Sequence, residues 1–333
     1  MTLRSAIIGC GKPWGKEGST GSGISHGHAV GYKASPLTEL VAVADIKREN
    51  AEAFVAEHGP AEIFLDYKEM LATVKPDLVS ICTWPHLHES MTIAAAEAGV
   101  RGIHCEKPMA PTLAAARRMV AAAEKSGSLL TFNHQRRFEP PYTVAKEWID
   151  SGKIGELKRL EMPTANLFDW GTHWFDMAFH FNFQVPAKWM LAQVDPVGGD
   201  NVFGVQLEKR AIARAQYENG VELIMATGDT HYEFNIRVVG TAGSIEIGWN
   251  YATLITEAGQ GKIDTGEAQK NLKGFELPLT NLAECVLSGE EPVLSARKAL
   301  MATEMIFAAY ESARRGGQIN FPLDFDDAEI YSA

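Results

Sequence analysis

Cysteine is scarce in this sequence, with four in 333 residues. Cys10, Cys82, Cys105 and Cys285 stand apart, with no Cys-x-x-Cys or Cys/His spacing among them. Neither a disulfide frame nor a structural zinc is indicated, and a reducing cytoplasm is the expected compartment. No apolar run approaches the roughly 20 residues of a membrane span. Positive charge is short as well. The 31 Lys and Arg against 42 Asp and Glu leave a net charge of -11, which argues against nucleic acid and anionic membranes as partners. An anionic ligand must then be held by local features. Met1-Thr2-Leu3-Arg4 runs straight into an apolar strand, so no signal peptide is expected.

What is present is the composition of a globular protein, 46% hydrophobic and 22% charged, long enough for two domains. The first half alternates apolar runs with helical patterns. Strands are expected at Arg4–Cys10, Thr38–Ile46, Asp77–Thr83, Gly102–Lys107 and Leu129–His134, and helices at His26–Lys33, Arg48–His58, His88–Ala98 and Leu113–Ser126. Near-continuous apolar strands between helices predict an α/β fold with a doubly wound parallel sheet. In such sheets ligands sit outside the carboxyl ends of the strands. Three junctions there carry chemistry. Gly9-Cys10-Gly11 ends the first strand, Asp45 the second, and Glu106-Lys107-Pro108 follows another.

Gly9 and Gly11 are half of the dinucleotide fingerprint, in which glycine lets the backbone approach a pyrophosphate at a helix N-terminus. Trp14 stands where the third glycine belongs, and a glycine-rich insertion, residues 12–23, precedes the helix. No Gly-Lys-Ser/Thr follows at Walker A spacing. Asp45 suits a ribose 2′-hydroxyl and would repel a 2′-phosphate, so NAD is favoured over NADP, although Lys47 and Arg48 follow it. Asp45 could equally cap the next helix.

After Pro140-Pro141 the rhythm changes. Helices are expected at Tyr142–Ser151 and Phe168–Phe183, a strand at Gly155–Met162, and then strands at Ala187–Val194, Val202–Leu207, Ala211–Tyr217, Val221–Thr227, Glu233–Gly240, Gly243–Trp249 and Thr253–Thr256. Short turns such as Glu218-Asn219-Gly220 predict a large, mostly antiparallel sheet. Helices at Leu279–Ser288 and Ser295–Arg315 close the chain. The expected domains are 1–131 and an α+β domain over 132–333.

Asp169, His173, Asp176 and His180 fall on one face of the aromatic helix. A carboxylate one turn from an imidazole can orient it and make it a general base, and the same residues could simply be satisfied core groups. Zinc is not expected, because no Glu-x-x-His repeat or further ligand accompanies them. Trp170 and Trp174 belong to the aromatic surround of this stripe. Arg136 or Arg137 could hold a substrate carboxylate or form a surface ion pair.

Taken together, Gly9-x-Gly11, Ala44-Asp45, Thr83-Trp-Pro-His86-x-His88, Glu106-Lys107-Pro108, Arg137-Phe138-x-Pro140 and Asp169-x-Gly171-x-His173-x-x-Asp176 resemble the glucose–fructose oxidoreductase / inositol dehydrogenase / MocA family over nearly the whole chain. The resemblance implies a Rossmann domain binding NAD(P) and a substrate domain whose open sheet also makes a homo-oligomer. It implies that Lys107, Asp169 and His173 are catalytic. It also implies that Gly9, Gly11, Asp45, Thr83, His88, Glu106 and Lys107 serve the cofactor. The expected activity is NAD-dependent oxidation of a secondary alcohol in a sugar, polyol or related cyclic substrate. The alternatives are NAD-assisted glycoside elimination or epimerisation, and a non-catalytic NAD sensor. The insertion at 12–23 and the short segment from Gly155 to Asp169 depart from the family pattern, which bears on substrate identity more than on cofactor chemistry.

Overall fold

The computed structural model describes residues 2–12, 23–228, 233–266, 272–326 and 330. The glycine-rich insertion, apart from Lys12 and Gly23, lies outside them. The chain forms two compact units. One comprises Met1–Ala110, Ala115–Gln135 and Leu272–Arg297, and the other Pro111–Ala114, Arg136–Asn271 and Lys298–Ala333.

In the first unit the strands are β1 (Leu3–Ile8), β2 (Thr38–Ala44), β3 (Glu62–Phe64), β4 (Leu78–Ile81), β5 (Gly102–Cys105) and β6 (Leu129–Phe132). They are all parallel, in the order β3-β2-β1-β4-β5-β6. The helices between them are α1 (Ile24–Ala34), α2 (Arg48–His58), α3 (Tyr67–Val74), α4 (Pro85–Glu97) and α5 (Leu113–Ser126). This is the doubly wound sheet that the alternating pattern predicts. The short β3 and α3 were not expected. Asp66, whose carboxylate accepts the Lys68 N–H at 2.7 Å, starts α3.

Register places the chemistry. Ile8 pairs with Ala44 and Ile81, Ile81 with Cys105, and Cys105 with Phe132. The next residue of each strand, Gly9, Asp45, Cys82, Glu106 and Asn133, therefore emerges at one edge. Leu272–Arg297, expected in the second half of the fold, returns to this unit. Its helix α8 (Glu276–Ser288) packs on α1. Added Cβ atoms on Gly27 and Gly31 of α1 would lie 2.6 Å from the Phe275 ring and 2.7 Å from the Phe275 carbonyl. Those glycines let two helices approach closely, at some cost in helix propensity.

The second unit contains α6 (Pro140–Asp150), β7 (Leu157–Thr164), α7 (Gly171–Phe181), β8 (Ala187–Asp195), β9 (Asn201–Val202), β10 (Val205–Gln206), β11 (Arg210–Tyr217), β12 (Glu222–Thr227), β13 (Ile236–Gly240), β14 (Gly243–Ile247), β15 (Tyr251–Thr256) and β16 (Gly259–Asp264). It ends with α9 (Ala296–Arg315), which begins in the first unit, and β17 (Ile319–Asn320). Nine strands form one sheet in the order β16-β15-β14-β13-β7-β12-β11-β8-β17. It is antiparallel except for the β7–β12 pair. Alternate residues, such as Ala211, Ala213, Ala215 and Tyr217 of β11, pack into a core shared with α6, α7 and α9.

The expected strand over Val202–Leu207 is instead a tiny hairpin, because Phe203 and Gly204 both take positive φ (53° and 80°) and turn the chain. The edge strands β16 and β17 were not expected. Every residue of β16 is exposed, so no alternation marked it.

Candidate active site

The carboxyl edge of the parallel sheet holds a cleft of about 390 Å³, lined by Gly9, Gly11, Asp45, Thr83, Trp84 and Met91 among others. Gly9 has φ 89°, and a Cβ there would sit 2.8 Å from the Cys82 carbonyl oxygen. Only glycine fits this crossing of β1 and β4. Gly11, with φ 57°, has nothing among the described residues within 4 Å of where its Cβ would project, and so leaves an open cradle on that side. Asp45 Oδ2 accepts the Cys10 and Gly11 N–H groups at 2.9 and 3.1 Å, and Oδ1 accepts the Lys47 N–H at 2.8 Å. Asp45 thus ties the glycine turn to the start of α2 and still lines the cleft. The two readings of this residue, ribose partner and helix-start residue, are compatible. The bare glycine turn, the open cradle and the carboxylate fit a dinucleotide.

Beside the cleft lies a buried polar chain around Glu106, whose other members the sequence reading missed. Glu106 Oε1 faces His28 Nε2 at 2.8 Å and accepts from Asn133 Nδ2 at 2.7 Å. Oε2 accepts the Lys107 backbone N–H at 3.3 Å. His28 Nδ1 meets Ser80 Oγ at 2.9 Å, and Ser80 donates to Tyr32 Oη at 2.8 Å. Since the Ser80 proton is committed to Tyr32, His28 Nδ1 must donate to Ser80. Nε2 faces the Glu106 carboxylate, which completes a buried chain from Tyr32 through Ser80 and His28 to Glu106. Burial is the largest influence on Glu106 and pushes its carboxyl up. His28, Asn133 and Lys107 outweigh it together and hold the carboxyl below its ordinary value. His28 comes from α1 and is fully buried, so Glu106 is fixed before any ligand arrives. The nearby His104, also fully buried, bonds Thr131 Oγ1 at 2.7 Å, and burial first, then His28, lower it to about 3.

Lys107 directly follows, and a cis peptide joins it to Pro108. His88 does not line the cleft. Its ring is fully buried, with Nε2 at 3.0 Å from the Thr83 carbonyl oxygen and Nδ1 at 3.0 Å from that of Pro108. It braces the turn after β4 against the turn that carries Lys107.

In the second unit Asp169 and His173 are both buried and lie one turn apart at the amino end of α7, with Asp169 two residues ahead of the helix. The Asn166 side-chain oxygen accepts the Asp169 and Trp170 N–H groups at 2.7 and 3.1 Å and fixes this entry. The expected four-residue stripe divides here. Asp176 belongs to Arg137, which grips it bidentately at 2.7 and 2.7 Å, both side chains being buried. Arg136 pairs with buried Glu139 at 3.0 Å and lies 4.8 Å from the ring centres of Trp174 and Trp249. Neither arginine forms the surface ion pair considered from sequence, and each is committed to an internal carboxylate. The aromatic wall is real: Trp170, Trp174, Phe234 and Trp249 line a cavity of about 280 Å³, with Trp170 and Trp249 partly exposed.

A doubly wound sheet with a glycine turn after β1 and a carboxylate after β2 has the features of a dinucleotide-binding domain. Residues 3–134 match the oxidoreductase family's NAD-binding Rossmann fold, and residues 163–321 match its C-terminal alpha/beta domain. The chain belongs to the Gfo/Idh/MocA family of oxidoreductases.

Among relatives, it is 36% identical to the D-glucoside 3-dehydrogenase of Escherichia coli over 46% of this chain and 41% of that one. It is 27% identical to the NAD(+)-dependent scyllo-inositol 2-dehydrogenase of Bacillus subtilis over 99% and 98% of the two chains. The fold matches an Agrobacterium radiobacter oxidoreductase, solved with NAD+, L-tartaric acid and magnesium, at a TM-score of 0.82 and 20% identity, covering 96% and 98% of the chains.

Proposed function

We propose that this protein is an NAD-dependent dehydrogenase acting on a secondary alcohol of a sugar, polyol or related cyclic substrate. The observation that carries the reading is the alignment of Gly9, Asp45 and Glu106 at one sheet edge, with Lys107 following the fixed carboxylate. The names of the relatives support the substrate class.

Oxidising such an alcohol removes a proton from oxygen and a hydride from carbon, and NAD when bound supplies the hydride acceptor. Lys107 stabilises the charge developing on the oxygen. His173 takes the hydroxyl proton, and Asp169 orients its ring. Gly9 and Gly11 admit the pyrophosphate, and Asp45 and Thr83 hold the nucleoside side of the cleft. Trp170 and Trp249 present an aromatic wall to a sugar ring.

The uncovered face of the nine-stranded sheet carries Leu191, Ile212 and Ile224, exposed by 45%, 64% and 37%. Their cross-strand partners share that face, which supports self-association through the sheet. No described helix is long and apolar enough to cross a membrane. None of the four cysteines is in a disulfide, which supports a cytoplasmic location.

Incubation with a panel of sugars, polyols and glycosides, with NAD and NADP in parallel, tests the function by absorbance of the reduced nicotinamide. NADH formation from at least one such alcohol is expected. Aglycone release without net NADH would replace the reading with elimination chemistry, and NAD binding without any turnover would replace it with nucleotide sensing.

A further inference from the structure

The first unit carries a second cluster, which the cofactor cleft does not use. His26 stands in the first turn of α1, and His58 is the last residue of α2. Both are buried, at 7% and 8% exposure. Their Nδ1 and Nε2 atoms face each other at 2.7 Å. Glu57 joins them, with Oε2 3.5 Å from His26 Nδ1 and Oε1 3.7 Å from His58 Nε2. The three donor atoms converge within 4.8 Å. Phe54 packs on both rings, at 4.8 and 4.6 Å between centroids, and sets their orientation.

A neutral imidazole has one N–H and one lone pair. At 2.7 Å the two rings must share a single proton, because two imidazolium rings would repel. If the donor ring carries that proton on its other nitrogen instead, two nitrogen lone pairs and a carboxylate point at one place. That donor set, two histidines and a carboxylate with one position open, suits a borderline divalent ion. The Glu57 side chain is 55% exposed, so the site opens to solvent on its side. That opening gives an ion a route in and leaves room for a water as fourth ligand.

We propose that His26, Glu57 and His58 form a binding site for a divalent transition metal of the zinc class, in which the ion replaces the proton shared by the two imidazoles. Metal–nitrogen bonds of about 2.0–2.1 Å in a tetrahedral site separate the ligand nitrogens by roughly 3.3 Å. The histidine contact must therefore open by about 0.6 Å on binding, which small χ rotations provide. A bound ion would clasp α1, which follows the glycine loop, to the end of α2, which begins beside Asp45. The sequence reading weighed a metal only on the Asp169–His173 helix and expected none; His26 and His58 are 32 positions apart, and no short spacing joins them.

The test uses the full chain, freed of metal by a chelator and carrying no histidine tag. It is dialysed against zinc chloride alone at defined free zinc, and bound zinc is measured by atomic emission. One ion per chain at micromolar free zinc is expected, with His58→Asn abolishing it and Glu57→Gln weakening it at least tenfold. Glu57 is exposed enough that its variant folds even if the histidine variant does not. Absence of zinc from the wild type, or wild-type binding by Glu57→Gln, would overturn the assignment.

Discussion

Replacing His28 by leucine tests how the catalytic edge is built. His28 Nε2 faces Glu106 Oε1 at 2.8 Å, and both side chains are buried. Leucine removes that hydrogen-bond partner and leaves Glu106 with Asn133 and the Lys107 N–H as partners. Leaving a buried charged group short of a partner costs upwards of about 1–3 kcal/mol. Its burial then dominates, and the Glu106 carboxyl rises above its unfolded value. A group whose folded pKa is raised gives its full stability below the unfolded pKa and loses it as pH rises through the folded one. The penalty in His28→Leu must therefore be largest near pH 8 and shrink as pH falls towards 5. Urea unfolding of wild type and variant across that range measures it. Glu106→Gln in the same background should recover most of the loss at high pH. A destabilisation independent of pH, or one not relieved by Glu106→Gln, would refute this account of Glu106.

Three further outcomes follow from the same geometry. Gly9→Ala pushes a Cβ to 2.8 Å from the Cys82 carbonyl at φ 89°. It should cost about 2–4 kcal/mol in strain and overpacking and weaken NAD binding, read by thermal melting and nucleotide titration. Asp176→Leu strands the buried Arg137 guanidinium and should cost about 3–5 kcal/mol. The double variant Asp176→Leu/Arg137→Met should recover part of this in denaturant unfolding. His104, lowered to about 3, gives stability that is present above its unfolded pKa of about 6.5 and is lost as pH falls from there towards 3. At roughly 1.4 kcal/mol per unit the loss is on the order of 5 kcal/mol, so His104→Asn should flatten the acid limb of the stability profile.

The cofactor edge was legible in the sequence because apolar strands there end abruptly in chemistry-bearing residues. Gly9, Asp45 and Glu106 each follow a run that can only be a buried strand, and the parallel rule places their ends together. The support around them was not legible. His28 reaches Glu106 across 78 positions and Asn133 across 27, and nothing in the periodicity of α1 states which strand end it faces. Arg137 and Asp176, 39 apart, read as candidate ligand residues because their mutual pairing exists only in three dimensions. Gly27 and Gly31 lower the helix propensity of α1, and only the packing of α8 and Phe275 against them accounts for their place. Helical pattern gives the existence of α8 but not the unit to which it returns. The edge strand β16 escaped because an exposed strand has no apolar face to alternate.

The central claim is that Lys107 serves alcohol oxidation by NAD, and Lys107→Met tests it most directly. Rates of NADH formation with a turned-over alcohol should be measured beside NAD affinity by fluorescence. The account predicts a fall in kcat of about 100-fold or more, in line with loss of an electrostatic stabiliser, with NAD affinity within a few-fold of wild type. A variant that oxidises the alcohol at the wild-type rate would contradict it.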